Sequence, residues 1–359
     1  MKIYVLIEDP YIVKSNPYIR TLIDGINYQY KDVNWGYGID KFWEDTIFDY
    51  DIIHIHWPNI LIWYNDIHIK KDPDIFEKRI REIKLKNIKI ISTCHNLKPH
   101  YSKNFIEHKL YDITYNYSDC IIHLGNYSLS LFKEKYPNTL NYLLYHHIYD
   151  DIYKFSPKQE EGIKSLNLDL RQKHILCFGA FRNKEEQNLI IKLSKHLKNK
   201  KIKIVAPSFF IIPSRRNIIA YIKTIIKYLY YKYKYSNIIT SLRYVNDNKL
   251  PYYFAACNIT LIQRLDILNS GNVPLAFLMK KVVVGPNKGN VGDWLNKTQN
   301  YTFEVNDINS LYRAIDLALN DEQKGNKNYL YAINNLTTEI TSSKLYKLYK
   351  KILALNIGK

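Results

Sequence analysis

Residues 174–199 read HILCFGAFRNKEEQNLIIKLSKHLKN. An apolar run over 174–180 ends at a glycine, a short polar turn follows, and the next sixteen residues, 184–199, have the composition of a helix. A continuous apolar run is typical of a strand that is buried on both faces, as strands of parallel sheets are. The stretch therefore predicts one strand–helix unit of a parallel α/β sheet.

The same alternation continues on both sides of this unit. Further strands are predicted at 2–7, 51–57, 88–96, 119–125, 201–207, 258–263, 281–286 and 301–305. Further helices are predicted at 74–87, 103–117, 311–321 and 342–355. Strands that alternate with helices in this way predict an α/β fold of two doubly wound, Rossmann-like domains that face a central cleft.

The domain boundaries follow from one break in the pattern. Residues 150–172 are polar, contain a proline and lack a clear period, so we interpret them as a linker. The prediction is an N-terminal Rossmann-like domain at 1–155 and a second Rossmann-like domain at 172–340. A C-terminal helix at 341–359 is predicted to pack back on the first domain.

Composition limits the class of protein. The chain has 359 residues, which suits two domains, and its net charge of +18 favours anionic partners without choosing among them. Its four cysteines form no C-x-x-C pair, so buried, reduced thiols are expected. No signal peptide or membrane-spanning run is evident, and we predict a cytoplasmic protein.

The turn after the strand at 174–180 is the first candidate site. Gly179 allows a ligand to approach the backbone closely, and the helix that follows presents unpaired N–H groups. Arg182 and Lys184 can pair with phosphate oxygens. An ordinary basic strand–helix turn would look similar, and the turn alone does not decide between the two.

The second candidate is RLDILNSGNVPLAFLMKKVVVGPNKGNVGDW, residues 264–294. Asn269, Ser270 and Gly271 precede an apolar helix, where backbone amides and a hydroxyl can meet an anion. Asp266, just upstream, can accept hydrogen bonds from ribose hydroxyls. A simple helix cap is the alternative.

Together, these segments resemble the C-terminal domain of GT-B glycosyltransferases, particularly the large retaining group called family 4. In that family a strand–Gly–x–x–Arg turn with a nearby lysine binds the donor diphosphate, which matches Gly179, Arg182 and Lys184. A later turn–helix–strand unit binds donor ribose and phosphate. The residues that match it are Asp266, Ser270, Gly271, Leu275, Ala276 and Val282 to Val284. The family often has two glutamates in this unit, and the second, which would fall near Leu275, is absent.

The resemblance also covers the N-terminal half. Segments 51–58, 93–100 and 144–153 resemble the family's histidine-containing strand ends, which implies that His95 contacts the transferred sugar or its phosphate. His146 matches a histidine before the linker. Asn16 stands where the family has a glycine-rich loop. We therefore include His146 and Asn16 in the predicted donor site. His56 is a weaker candidate.

The resemblance implies a hexosyltransferase of bacterial surface-polysaccharide synthesis, such as capsule or O-antigen. It would use a UDP- or GDP-sugar donor and a glycan or lipid-linked glycan acceptor, with no tightly bound cofactor. No metal is expected, because no histidine pair has H-x-x-x-H spacing and Asp49-Tyr50-Asp51 fits a strand cap better than a metal-binding D-x-D motif. Either stereochemical outcome remains open; inversion would need a base such as His95.

Other functions remain possible on the sequence alone. A nucleotide-sugar epimerase would share this architecture, and a degenerate, non-catalytic relative would too. A basic protein that binds nucleic acid is the third class, but no nucleic-acid motif is present, so we expect none as a partner. The basic, aromatic-rich segment 215–237 fits either docking on anionic lipid at the inner face of the plasma membrane or a solvated helix on the second domain.

Overall fold

The computed structural model describes residues 1–13, 17–72, 74–99, 104–211, 213, 217–242 and 245–355. The chain divides into two compact units. Unit 1 comprises Met1–His147 together with the C-terminal stretch from Leu336, and unit 2 comprises Ile148–Asn335.

Unit 1 is built on a six-stranded sheet in the order β2-β1-β3-β4-β5-β6. Its strands are β1 (Lys2–Val5), β2 (Asn34–Gly36), β3 (Ile52–Ile55), β4 (Lys89–Cys94), β5 (Cys120–His123) and β6 (Leu140–Leu143). Its first helices are α1 (Tyr18–Gln29), α2 (Ile60–Trp63), α3 (Ile67–Lys71), α4 (Ile75–Leu85), α5 (Phe105–Tyr117) and α6 (Asn126–Lys135). Two 3₁₀ helices, Asp40–Trp43 and Asp45–Asp49, precede β3.

Unit 2 contains a second six-stranded sheet in the order β12-β11-β10-β7-β8-β9. Its strands are β7 (Lys173–Leu176), β8 (Ile202–Val205), β9 (Ile238–Ile239), β10 (Ile259–Leu261), β11 (Val282–Pro286) and β12 (Tyr301–Phe303). Its helices are α7 (Gln159–Ser165), α8 (Lys184–His196), α9 (Ile218–Lys234), α10 (Leu250–Ala256), α11 (Asn272–Leu278), α12 (Gly289–Lys297), α13 (Ile308–Ala318) and α14 (Lys324–Asn335), with a 3₁₀ helix at Asp247–Lys249. The chain ends with α15 (Thr338–Ala354), which belongs to unit 1.

Every strand pairing in the two sheets is parallel. The central strands are apolar along their length because helices cover both faces; all four residues of β3 are buried, as are all five of β11. The predicted α/β class with two doubly wound sheets is confirmed. No helix within the described residues is both long enough and apolar enough to cross a bilayer.

Residues 150–172, interpreted from the sequence as a linker, contain helix α7. Gly162 of α7 lies against α10, and a Cβ atom built on it would stand 2.5 Å from the backbone nitrogen of Ala256. The stretch therefore contributes a packed helix to unit 2.

Helix α15 packs against α1 within unit 1. Gln29 donates hydrogen bonds to the carbonyl of Glu339 (3.1 Å) and to Oγ of Ser342 (2.9 Å). The rings of Tyr30 and Tyr346 stack with centroids 3.7 Å apart. Gly25 allows the close approach, because a Cβ atom there would lie 2.7 Å from Oγ of Ser342. The C-terminal helix thus completes the layer of helices over the first sheet.

We predict that Gly25→Val lowers the free energy of unfolding by about 1–3 kcal/mol, because the added methyl groups meet α15 and force the two helices apart. Tyr28→Val introduces the same residue type into the same helix at a position that is 84% exposed, and should change stability by about 0.5 kcal/mol or less. Chemical unfolding of both variants tests the packing; equal stability would contradict it.

Candidate active site

The carboxyl ends of β7 and β10 form the point where the second sheet changes direction. The two strands pair side by side, with Ile259 opposite Ile175 and Thr260 opposite Leu176. From β7 the chain continues outward to β8 and β9, and from β10 it continues to β11 and β12 on the other side. The loops that leave these two strands therefore separate, and ligands of open α/β sheets bind at such a point.

The turn after β7 is fixed by its neighbours. Gly179 has a φ angle of +99°, which favours glycine, and it redirects the chain toward α8. Nδ2 of Asn272 donates a hydrogen bond to the carbonyl of Phe178 (2.8 Å), and Nε2 of Gln263 donates one to the carbonyl of Gly179 (3.3 Å). Both side chains come from the loop and helix that follow β10, so the two loops hold each other.

Glu186 fixes the start of α8. Its carboxylate is fully buried and accepts a hydrogen bond from the backbone amide of Arg182 (2.8 Å). Nε of Arg264 lies 4.0 Å from the other carboxylate oxygen. The side chain of Asn183 caps the helix by accepting a hydrogen bond from the amide of Glu186 (2.9 Å).

The side chains of Arg182 and Lys184 are exposed at this fixed turn. Neither makes a hydrogen bond or ion pair to another side chain in the described part of the structure. They stand at the N-terminus of a thirteen-residue helix, where unpaired amides and the helix dipole favour anions. The arrangement can bind a phosphate group.

The polar residues of the loop after β10 contact the starts of α11 and α12. Oγ of Ser270 accepts a hydrogen bond from the amide of Asn272 (3.3 Å), and Gly271 is the cap residue of α11. Oδ1 of Asn269 accepts one from the buried Asn290 (2.8 Å). Asp266 forms an ion pair with Lys288 (2.9 Å) at the protein surface.

The predicted residues of unit 2 thus lie on two neighbouring loops at one edge of the sheet. They are Gly179, Arg182, Lys184, Asp266, Asn269, Ser270 and Gly271. Four further residues support the turn and were not predicted from the sequence: Glu186, Arg264, Gln263 and Asn272. The signal for Gln263 was a polar residue at the end of the predicted apolar strand 258–263. Glu186, in contrast, has the same sequence context as any acidic residue at a helix start.

A cavity of about 360 Å³ lies at the β12 end of the same sheet. Its lining includes Glu185, Glu304 and Asp307, together with Lys192 and Leu265. Three carboxylates make this cavity a poor site for a diphosphate, since like charges repel.

Unit 1 contains a group of five histidines around Tyr18, which we call the histidine cluster. Its members are His54, His56, His95, His146 and His147. His56 and His95 follow the ends of β3 and β4, and their rings are joined by a 3.0 Å contact between Nδ1 and Nε2. The Tyr18 ring stands 5.2 Å from that of His95 and 4.5 Å from that of His146.

One histidine of the cluster links three elements of unit 1. His54 on β3 contacts the hydroxyl of Tyr349 on α15 through Nδ1 (2.7 Å) and the hydroxyl of Thr93 on β4 through Nε2 (2.8 Å). Nε2 of His147 lies 2.6 Å from the hydroxyl of Thr21 on α1.

Burial lowers the pKa of every histidine in the cluster. It lowers the pKa of His54 from 6.5 to about 3 and that of His146 to about 4. The pKa values of His56, His95 and His147 are also well below 6.5, first because of burial and then because neighbouring histidines disfavour a second charge. The cluster is therefore neutral at physiological pH.

The remaining predictions from the sequence concern Asn16, a metal site, the Asp49-Tyr50-Asp51 segment and the cysteines. Asn16 lies outside the described residues. Among the described residues there is no group of three or more His, Cys, Asp or Glu side chains that could hold a metal ion. Asp51, which directly precedes β3, accepts a hydrogen bond from the backbone amide of Lys2 at the start of β1 (2.7 Å). The four cysteines are buried thiols.

We predict that the protein loses stability as the pH falls below about 6.5. There the unfolded chain binds protons that the native histidines, with lowered pKa values, do not bind. For His54 and His146, with pKa values of about 3 and 4, this costs about 1–2 kcal/mol each between pH 6.5 and 5. His54→Gln should flatten this dependence, whereas His196→Gln, at an exposed position on α8, should leave it unchanged. Unfolding measured from pH 7.5 to 5 tests this; the same slope in all three proteins would argue against it.

Solved structures share the fold of this chain, whereas sequence comparisons find no match. No protein-family profile matches the sequence, and no curated protein sequence matches it. Among solved structures, sucrose-phosphate synthase from Thermosynechococcus elongatus superposes with a TM-score of 0.72 at 12% identity, over 99% of this chain and 100% of that one. Anabaena HepE in complex with UDP and glucose gives 0.67 at 12% identity, over 98% of this chain and 100% of that one.

A third neighbour has a different assigned activity. A protein from Listeria monocytogenes, assigned as a UDP-N-acetylglucosamine 2-epimerase, superposes with a TM-score of 0.60 at 10% identity, over 99% of this chain and 97% of that one. At these identities the likeness establishes the fold. The chain has the two-domain, Rossmann-like fold of GT-B glycosyltransferases, as the sequence predicted.

Proposed function

We propose that the protein is a glycosyltransferase that moves a hexose-type sugar from a nucleoside-diphosphate sugar, with UDP or GDP as the nucleotide, to a glycan or lipid-linked glycan acceptor. The observation that carries the proposal is the turn after β7. There two exposed cations, Arg182 and Lys184, stand at a helix N-terminus beside a glycine with positive φ. HepE, which has the same fold, was crystallised with UDP-glucose as well as with UDP.

The proposed chemistry depends on charge. Breaking the bond between the sugar and the diphosphate leaves negative charge on the leaving group. Arg182, Lys184 and the first amides of α8 would bind that charge, and preorganised donors of this kind often supply most of an enzyme's rate enhancement. Because Glu186 and Asn183 hold the turn in place before substrate arrives, little free energy is spent on ordering it.

Within the donor site we assign Ser270, Gly271 and Asn269 to the loop that shapes the phosphate side. Asp266 is the candidate for the ribose hydroxyls, and its carboxylate lies 2.9 Å from Nζ of Lys288. Asn16 and His146 remain proposed contacts by resemblance only.

We propose that His95 donates or accepts a hydrogen bond to the transferred sugar in its neutral form. With a pKa well below 6.5, it is a weak base for deprotonating an acceptor hydroxyl. This favours a mechanism that needs no strong protein base, as in the retaining enzymes of family 4 that the sequence resembles.

We predict that Arg182→Ala weakens binding of UDP or GDP about tenfold or more and lowers kcat/KM for transfer by about 100-fold or more, because a charge-assisted contact to the leaving diphosphate is lost. Binding is measured by the shift of the melting temperature with nucleotide concentration. Arg171→Ala is the matched control, since Arg171 is an exposed arginine of unit 2 in a local ion pair with Asp169 (3.1 Å). Equal binding by both variants would refute the assignment of Arg182.

A nucleotide-sugar epimerase is the second candidate, because one structural neighbour has that assignment. The two activities differ in their need for an acceptor. Incubation with a nucleoside-diphosphate sugar alone distinguishes them: conversion of the sugar without release of nucleoside diphosphate supports the epimerase, and acceptor-dependent release supports the transferase.

A further inference from the structure

Helix α9 of unit 2 carries an apolar face that none of the described residues covers. None of its seventeen residues is buried. Seven large apolar side chains are exposed by between 50% at Ile222 and 91% at Tyr233. They are Ile218, Ile219, Ile222, Ile226, Leu229, Tyr230 and Tyr233. We call this set the α9 stripe.

The α9 stripe occupies one side of the helix. Its members recur three or four residues apart, and at about 100° per residue they all fall within roughly 120° of the helix circumference. An amphipathic helix of a globular domain normally turns such a face toward the core. Here the large aliphatic side chains point to solvent instead.

The opposite side of α9 is what holds the helix to unit 2. The ring of Tyr231 packs against Phe209 (centroids 5.8 Å apart) and that of Tyr228 against Phe210 (6.1 Å). Asn217 caps the helix start by accepting a hydrogen bond from the amide of Ala220 (3.1 Å). The helix is therefore fixed on its tyrosine side, and the orientation of the stripe is set by the fold.

Lysines border the α9 stripe. On the helical wheel, Lys223 and Lys234 lie along one edge and Lys232 along the other, and all three are exposed. Lys227 lies further round the helix, with its Nζ over the rings of Phe210 and Tyr231. Their long side chains can follow an apolar surface while the ammonium groups stay at its boundary. Tyrosines such as Tyr230 and Tyr233 suit the same boundary, where one end of the ring meets lipid and the hydroxyl meets water.

We propose that the α9 stripe docks unit 2 onto an anionic membrane surface, with the helix lying in the plane of the lipid headgroups. Its aliphatic side chains enter the upper acyl region, and its lysines pair with lipid phosphates. Seventeen residues make a helix of about 25 Å that is anchored along one side, so it lies on a bilayer and does not span it.

Charge favours lipid over a second copy of the chain. Two stripes packed face to face would bring lysines of like charge together, and lysine is depleted from the cores of protein–protein interfaces. An anionic bilayer complements these lysines and the chain's net charge of +18. This docking goes beyond the proposed transfer reaction and is independent of it, although it would bring the protein to lipid-linked acceptors.

The test is sedimentation of the full-length protein with vesicles of phosphatidylcholine alone and of an equimolar mixture with phosphatidylglycerol. We expect binding to the mixed vesicles that weakens as salt is added. Ile222→Ser combined with Ile226→Ser should reduce the partition coefficient about tenfold or more. Leu317→Ser combined with Leu330→Ser, at positions 60% and 55% exposed on α13 and α14, is the matched control and should bind as the unmodified protein does.

Charge is tested in the same way. Lys223→Glu with Lys232→Glu should reduce binding to the mixed vesicles about tenfold or more. Lys195→Glu with Lys198→Glu, at two exposed positions in the last turn of α8 and just after it, should reduce it much less. Failure to sediment with the mixed vesicles overturns the proposal, as does equal binding by stripe and control variants. A third outcome would also overturn it: the protein forms a dimer in lipid-free solution, the Ile222→Ser/Ile226→Ser variant is monomeric, and neither binds vesicles. That result would assign the stripe to a second copy of the chain. None of these outcomes depends on sugar transfer.

Discussion

The parallel direction of every strand is the constraint on which the rest of the structure depends. A parallel pair cannot be joined by a tight turn, so each strand leads through a crossing connection to the next. All carboxyl ends of a sheet therefore lie at one edge, and the loops that follow them are the places where a ligand can meet backbone amides and loop side chains. In unit 2 the chain runs outward in both directions from the β7–β10 pair, and the loops after these two strands hold the predicted donor residues. In unit 1 the same rule brings His56 and His95 together after β3 and β4.

Buried polar groups turn these edges into defined sites. The carboxylate of Glu186 and the amides of Gln263 and Asn272 are used to hold two loops, which leaves Arg182 and Lys184 at the surface to meet a ligand. A buried polar group without a hydrogen-bond partner destabilises the fold, whereas a fully hydrogen-bonded network makes the loops rigid. In unit 1 the histidines are held neutral by burial, and one of them ties the first sheet to α15 through Tyr349. The turn after β7 thus presents two exposed cations, whereas the histidine cluster presents neutral hydrogen-bonding groups.

Much of the fold could be predicted because burial on both faces leaves a strong signal in short apolar runs. The strands that were missed, β2, β6 and β9, are all at sheet edges, where burial is partial and the runs are short. Helix α7 was missed because only one of its sides packs, against α10. The candidate turn at Gly179 could be found because its glycine and its cations are adjacent in sequence. Its support could not, since Asn272 and Phe178 are 94 residues apart and meet only in the folded chain. For α9, the basic charge could be predicted from composition. The exposure of the aliphatic stripe could not, because it depends on which side of the helix packs on unit 2, and the tyrosines on the opposite side determine that.

The central claim is that a nucleoside diphosphate binds with its phosphates at the turn between β7 and α8. A crystal structure of the protein with UDP or GDP, whichever stabilises it more, tests this most directly. We expect phosphate oxygens within about 3 Å of the Arg182 guanidinium and the first amides of α8, with the ribose toward the loop that contains Asp266. A diphosphate bound elsewhere, for example in the acidic cavity beside Glu304 and Asp307, would contradict it.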